Sequence, residues 1–383
     1  MKRPWQFVFK IAGRCNINCS YCYMYNLGDD SILKKPKIMD IHTFSLAVGA
    51  ISRYQKKYSI QRVGIAFHGG EPLMVGPNRF NELCRIARNV LGPSAVLAIQ
   101  TNGILLNRQW IEVLERHRVL LGISLDGPSE FNDTFRVDHR ARGTYSAAER
   151  GLRLAQSAHE RDGRANVSII SVIDPTRSPK EYYDWVVNVA RATQVSVLPP
   201  DVNHDNFAKY CNFSVDDMAA YLISLFNIWW NANDDISIRL FDSIIGMIMG
   251  GTASGELVGS IGAVTVVIDT DGEIQSHDVV RTCGEFDEKK INVASVEIED
   301  IFKQKLYREL NPTEMEVSSA CRQCQVFRYC KGGFISHRFS TERRFSNPSV
   351  YCSVWFSLIS HIYFVIMGLQ STMPEDVKSG ISA

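Results

Sequence analysis

Six short runs rich in β-branched and aromatic residues, QFVFKI, RVGIAF, AVLAIQ, VLLGIS, ANVSIISVI and QVSVLP, constrain the fold of this chain more than any other feature. Between them, residues 40–58, 78–90, 107–116, 144–159 and 179–192 carry apolar positions at the helical period. Strand and helix in strict alternation imply a parallel sheet with helical crossovers, because parallel neighbours cannot be joined by a tight turn. A polar or glycine-rich motif follows each of the first four strands: CNINCSYC, HGGEP, TNG and SLDGP. In a β/α barrel the carboxyl ends of the strands meet at one mouth. The reading is therefore an α/β chain whose first part is a partial (β/α)6 TIM-like barrel.

Beyond PPDVNHDN the pattern changes. Residues 215–250 read as two helices, SVDDMAAYLISLFNIWW and ISIRLFDSIIGMIM, with Ser214 as N-cap of the first. AVTVVIDTDGEIQS reads as a hairpin turning at Thr270-Asp271-Gly272. The run Val354 to Leu369 is apolar but carries Ser357, Ser360 and His361. It is shorter than the roughly 20 residues a spanning helix needs, and is expected to be a buried helix. The expected division is 1–205 for the barrel, 206–254 for a helical bridge, 255–370 for a C-terminal domain and 371–383 for a tail.

A net charge of +1 offers no general attraction for nucleic acid or an anionic membrane, and neither is expected as a partner. MKRPWQFVFK has no cleavable apolar core, and ten cysteines without a secretion signal suggest a reducing, cytoplasmic setting. Seven of the ten fall in two groups. Cys15-x3-Cys19-x2-Cys22 stops at three thiols, whereas a structural zinc or ferredoxin site fills all four positions. Three thiolates can hold three irons of a [4Fe–4S] cube and leave the fourth open; a partial zinc site is the alternative. Cys321-x2-Cys324-x5-Cys330-x21-Cys352 could close around zinc or hold a second cube. Cys84 and Cys211 read as isolated buried thiols, and Cys283 is ambiguous.

The three-cysteine run with Tyr21 before its last member, followed in order by HGGEP and SLDGP, resembles the radical S-adenosylmethionine superfamily. The resemblance implies that the open iron is chelated by the amino and carboxylate groups of S-adenosylmethionine, whose reductive cleavage releases a 5′-deoxyadenosyl radical. It places Gly69, Gly70 and Glu71 against the methionine ammonium, Ser124 and Asp126 near the nucleoside and reaction centre, and Asn102 at the same mouth. Tyr21 reads equally as core packing or adenine contact.

The second cysteine group resembles the SPASM (or twitch-like) iron–sulfur domain. All four ligands of that domain's outer cluster are present. The inner cluster's are not: Phe334 and His277 stand where cysteines are expected, and ELVGSIGAV supplies none. The resemblance thus implies two [4Fe–4S] clusters in all, with His277 and Cys283 a lesser candidate for further metal. Asp278 follows the lost position and inherits the role of proton acceptor, with His204 and Asp205 as alternatives. Gly332-Gly333, His337-Arg338 and NPSVYC ending at Cys352 are similar to the XYE-type maturases that build cyclophanes in ribosomal peptides. His337 and Arg338 are expected to support the cluster loop rather than touch substrate.

That similarity implies a three-residue crosslink between an aromatic ring and the β-carbon two residues on. The implied partners are a precursor peptide and an external one-electron reductant of flavodoxin or ferredoxin type. The alternatives are a sulfatase-maturase-like oxidation of cysteine or serine to formylglycine, and a non-catalytic iron–sulfur electron carrier. With fourteen residues ahead of Cys15, peptide binding is expected on the barrel, the bridge or another chain.

Overall fold

The computed structural model describes residues 3–159, 165–232, 234–260, 265–284, 286, 288–310 and 317–368. It divides into two compact units, one of residues 1–125, 132–169 and 263–314, the other of 126–131, 170–262 and 315–383. In chain order the strands are β1 Gln6–Ala12, β2 Gly64–Gly69, β3 Val96–Thr101, β4 Leu120–Ser124, β5 Ala165–Val172, β6 Ala192–Leu198, β7 Ser237–Ile238, β8 Thr265–Ile268, β9 Glu273–Gln275 and β10 Ile291–Asn292.

In the first unit the strand order is β10-β9-β8-β1-β2-β3-β4, parallel from β8 to β4. Helices Ile41–Lys57, Pro77–Leu91 and Arg108–Arg116 make the crossovers. Their starts follow from local chemistry. The carboxylate of Asp40 accepts from the Thr43 N–H, Asn107 accepts from that of Trp110, and Pro77 takes the first turn of its helix.

Side chains alternate across a strand, so Phe7 and Phe9 point one way and Val8 and Lys10 the other. The first face carries a file of aromatic rings: Phe9 to Phe44 at 4.9 Å, Phe44 to Phe67 at 6.0 Å, Phe67 to Phe80 at 4.8 Å and Phe80 to Trp110 at 5.2 Å. All of these residues are buried, and they seal the strands against the helices.

The hairpin forms where the sequence places it. Gly272 has φ +84° and donates to the carbonyl of Asp269 at 2.8 Å. It does not join the segment 255–370 into one body, however. β8 is VVI-rich, fully buried at Val266, Val267 and Ile268, and pairs in parallel with β1. Residues 263–314 therefore group with the barrel strands and the cysteine segment does not. A buried ion network holds the hairpin there: Asp269 takes Lys35 at 2.5 Å and Arg281 at 2.6 Å, and Arg281 also reaches Asp29 at 2.8 Å.

In the second unit β6 and β7 pair in parallel, and helices Val215–Ala232, Arg239–Ile248 and Cys352–Ile366 pack through Phe226, which meets Phe241 at 5.3 Å and His361 at 5.7 Å. The expected helix 179–192 is α-helical only over Pro179–Asp184. It widens to a π-helical turn over Trp185–Ala190 and stops at Arg191, which has φ +50°. Among the described residues no helix is long and apolar enough to cross a membrane.

Candidate active site and cysteine centres

The loop after β1 gathers three thiols. Cys22 donates its N–H to the Cys19 carbonyl at 3.0 Å, and Asn26 returns to the Cys22 carbonyl at 2.8 Å, which winds the run into a tight turn. The sulfur of Cys15 accepts from the Ile17 N–H, and that of Cys22 from those of Met24 and Tyr25. Burial nevertheless pushes the Cys15 thiol up to about 12, and Cys19 and Cys22 add to it, so these sulfurs need a positive partner to ionise.

Among the described residues no three His, Cys, Asp or Glu side chains converge as they would on one metal ion. A cube asks for no such convergence, since each thiolate takes a different iron. Buried, mutually coupled thiols fed by backbone N–H groups fit a cluster better than a lone zinc.

Gly69 and Gly70 lie against this loop. Gly70 donates to the Ala12 carbonyl at 2.8 Å, and a Cβ on Gly70 would fall 2.4 Å from the Arg14 carbonyl oxygen. Only glycine allows that approach. Glu71, set against a ligand ammonium by the sequence reading, is fully buried. Its carboxylate accepts from the Thr101 hydroxyl at 2.6 Å, the Asn102 N–H at 2.8 Å and the Leu73 N–H at 2.9 Å. It thereby ties the end of β2 to the TNG turn, and Asn102 donates onward to Asn16 inside the cysteine run at 2.8 Å.

Burial pushes the Glu71 carboxyl up, and the three donors work against that shift. Glu71→Gln turns an amide N–H₂ toward donors and leaves at least one unmet, which costs about 1–3 kcal/mol. The thermal midpoint of the protein without added ligand should fall. A carboxylate serving the ligand alone would leave it unchanged.

Tyr21 accepts from Arg136 at 2.9 Å and lies 6.1 Å from the Phe135 ring. Ser124 accepts from Gln100 at 2.9 Å. Asp126 falls in the second unit, where it accepts from the Val172 N–H at the end of β5.

The face of the first unit's sheet turned away from the helices carries a polar layer that sequence reasoning missed: Lys10, His68, Gln100 and Ser124, one on each of four consecutive strands. Lys10 is paired with His68 across β1 and β2. Gly122 makes room for Gln100, whose Oε1 would lie 2.1 Å from a Cβ there. The available signal was a lysine in phase with Val8 and Ala12 inside an apolar strand.

Asp278 comes to this layer from the start of the turn Val279–Cys283. Its Oδ2 meets the Lys10 ammonium at 2.7 Å and accepts from the Tyr23 hydroxyl at 2.6 Å, while Lys10 also donates to that hydroxyl at 3.0 Å. Burial is the largest influence on Asp278 and resists its ionisation, but Lys10, His277 and His68 together overcome it and hold the carboxyl well below the usual carboxylate range. Burial, with Lys10 adding to it, pushes His68 down to about 4, which leaves a neutral imidazole near pH 7. The cluster is thus an ionised acid, a fixed ammonium, a phenol and a neutral imidazole.

His277 is buried; its Nδ1 accepts from the Val279 N–H at 3.4 Å and lies 3.5 Å from Asp278. Cys283 is buried beside Thr282. The alternative proton acceptors are engaged in the second unit: His204 with the Pro348 carbonyl at 2.8 Å, and Asp205 with the Thr341 N–H and hydroxyl at 2.8 Å each.

Cys321, Cys324, Cys330 and Cys352 are brought together in the second unit, each thiol raising Cys330, which burial pushes up to about 12. Cys324 donates its N–H to the Cys321 carbonyl, and the sulfur of Cys330 accepts from the Gly332 N–H. Phe334 packs among rings: it meets His337 at 5.2 Å, and His337 meets Tyr351 at 5.0 Å, an aromatic group where the inner cluster's cysteine was expected.

With this geometry in view, residues 9–186 match the family model of the Radical SAM superfamily. The fold is the radical S-adenosylmethionine α/β fold with a SPASM-type C-terminal segment. Over nearly its whole length it is similar to the cysteine-type anaerobic sulfatase-maturating enzyme of Clostridium perfringens strain 13, at 24% identity over 370 residues, 94% of this chain and 96% of that protein. The solved structure of native anSMEcpe with bound AdoMet matches with a TM-score of 0.82 at 22% identity, over 97% of this chain and 100% of that one. SuiB of Streptococcus suis, bound to precursor peptide SuiA, matches less closely, with a TM-score of 0.60 at 16% identity over 92% and 76%.

These likenesses overturn the cyclophane expectation and favour its sulfatase-maturase alternative. The structure shows why the C-terminal signature misled. Asn347 donates to the carbonyls of Arg338 and Arg344, Val350 donates to that of His337, and Arg338, Asn347, Ser349 and Tyr351 are all buried. These residues are internal ties that build the cysteine loop.

Proposed function

We propose that the protein oxidises the side chain of a cysteine or serine within a peptide to formylglycine. A [4Fe–4S] cluster on Cys15, Cys19 and Cys22 with S-adenosylmethionine, and a second cluster on Cys321, Cys324, Cys330 and Cys352, would supply hydrogen-atom removal and electron acceptance. An external one-electron reductant of flavodoxin or ferredoxin type would start each turnover.

Taken from a cysteine, the oxidation removes one hydrogen atom from the β-carbon, then one electron and the thiol proton, leaving a thioaldehyde that water converts to the aldehyde and hydrogen sulfide. From a serine the aldehyde forms directly. Asp278 takes the proton. Lys10 keeps it ionised and Tyr23, bonded to the same oxygen, fixes its direction; so weak a base suffices because the S-protonated thioaldehyde left by electron loss, or its oxygen counterpart from serine, is itself a strong acid. The Lys10–Tyr23–Asp278 arrangement carries the reading, because a buried and ionised carboxylate on the barrel face is what an oxidation with proton loss requires. Gly69, Gly70 and Asn102 would shape the cofactor pocket through their backbone and amide groups, with Glu71 bracing them from behind.

The test is anaerobic incubation of reconstituted protein with S-adenosylmethionine, reductant and peptides carrying a central cysteine or serine, followed by hydrazide trapping of aldehyde. Trapped aldehyde is expected with at least one peptide. 5′-Deoxyadenosine formation without aldehyde from either would overturn the proposal. Iron should reach about 8 per chain, two cubes of four; about 12 would contradict the two-cluster assignment.

A further inference from the structure

Arg338 is one of the largest fully buried side chains in the protein. Its Nε donates to the Asn347 carbonyl at 3.1 Å, and its own carbonyl accepts from the Asn347 side-chain amide at 2.9 Å. Its guanidinium lies over the turn that leaves Cys330. A Cβ on Gly332 would sit 3.3 Å from Nη1 and 3.6 Å from Cζ, and Gly332 itself has φ +90°. Glycine at 332 therefore both makes the turn and admits the cation. A guanidinium out of water is costly unless anions face it. Burial weakens the charge of Arg338, and the thiolates of Cys321 and Cys330 offset part of that effect.

We propose that Arg338 is a positioning residue for electron transfer: its buried guanidinium raises the reduction potential of the [4Fe–4S] centre on Cys321, Cys324, Cys330 and Cys352, making that centre a better acceptor of the electron withdrawn from the peptide. The inference rests on the reading that these four cysteines carry a cluster. Reduction adds a negative charge to the cluster, and a fixed cation in a dry setting favours the more negative state. The backbone bond to Asn347 holds the cation in place through turnover.

The experiment is an EPR-monitored redox titration of the reconstituted full chain, in a Cys15→Ala, Cys19→Ala, Cys22→Ala background so that only the second centre gives a signal. Arg338→Gln should lower the potential by at least a factor of ten in the one-electron constant, about 59 mV, with iron content unchanged. Arg338→Lys keeps a charge but loses the planar fork, and should fall between Gln and the native residue. Unchanged potential in an iron-replete Arg338→Gln protein overturns the inference. Should the Gln variant not fold, Arg338→Met removes the charge with a side chain suited to a buried site, and a native potential there overturns it equally. Failure of the underlying reading looks different: Cys321→Ala and Cys324→Ala would then leave iron content and the EPR signal unaltered.

Discussion

Asp278→Asn should suppress peptide oxidation by about 10²- to 10⁴-fold, the usual span for loss of a positioned general base, while 5′-deoxyadenosine still forms. The asparagine oxygen can still accept from Tyr23, so the polar layer keeps its outline. What is lost is the ability to hold a proton. Cofactor cleavage is assigned to the cysteines and to the HGGEP and TNG turns, and the bond from Tyr23, which follows Cys22, is one the asparagine oxygen can still accept, so the two activities should separate. Quantifying deoxyadenosine and aldehyde in the same reaction checks this. Parallel loss of both would place Asp278 in cofactor binding instead.

Lys10→Met should damage both stability and chemistry. Lys10 is fully buried, and its ammonium touches Asp278, Tyr23 and the sulfur of Met24. Removing one partner of a buried ion pair costs about 3–5 kcal/mol, because the other charge is left unpaired. A carboxyl held far down by its neighbour contributes stability above its unfolded value, lost as pH falls through the folded one. Without Lys10, burial loses its largest counterweight at Asp278 and the carboxyl rises. The variant should therefore melt well below the native protein near pH 7, and its oxidation rate should fall on the acid side at a pH where the native rate is flat. A native melting point and a native pH profile would show that Lys10 is dispensable to Asp278.

Much of the architecture was legible in the sequence, since six strands with helical crossovers follow from periodicity alone. β1 to β6 lie within two residues of the expected segments, and Asp40 and Asn107 mark their helix starts as capping chemistry requires. The misses have physical causes. Two-residue strands such as β7 and β10 have no period to detect. The helix read over 179–192 overruns because the wide turn at Trp185–Ala190 keeps an apolar pattern.

Site residues divide in the same way. The cysteine runs announce themselves by spacing, but the Tyr23–Asp278 bond joins residues 255 positions apart, and only the parallel pairing of β8 with β1 brings them together. Glu71 was read outward because a carboxylate beside glycines suggests a ligand, whereas the three donors that surround it come from later segments. NPSVYC was read as a mark of substrate when its side chains are mostly internal ties.

Hydrogen is expected to leave the β-carbon of one peptide side chain, with proton loss to Asp278. The most direct test uses a peptide whose target cysteine carries deuterium at both β-positions, incubated anaerobically with the reconstituted enzyme. One deuterium is expected in the 5′-deoxyadenosine and one in the trapped aldehyde. Deoxyadenosine free of deuterium, formed from a peptide that remains intact, would contradict it.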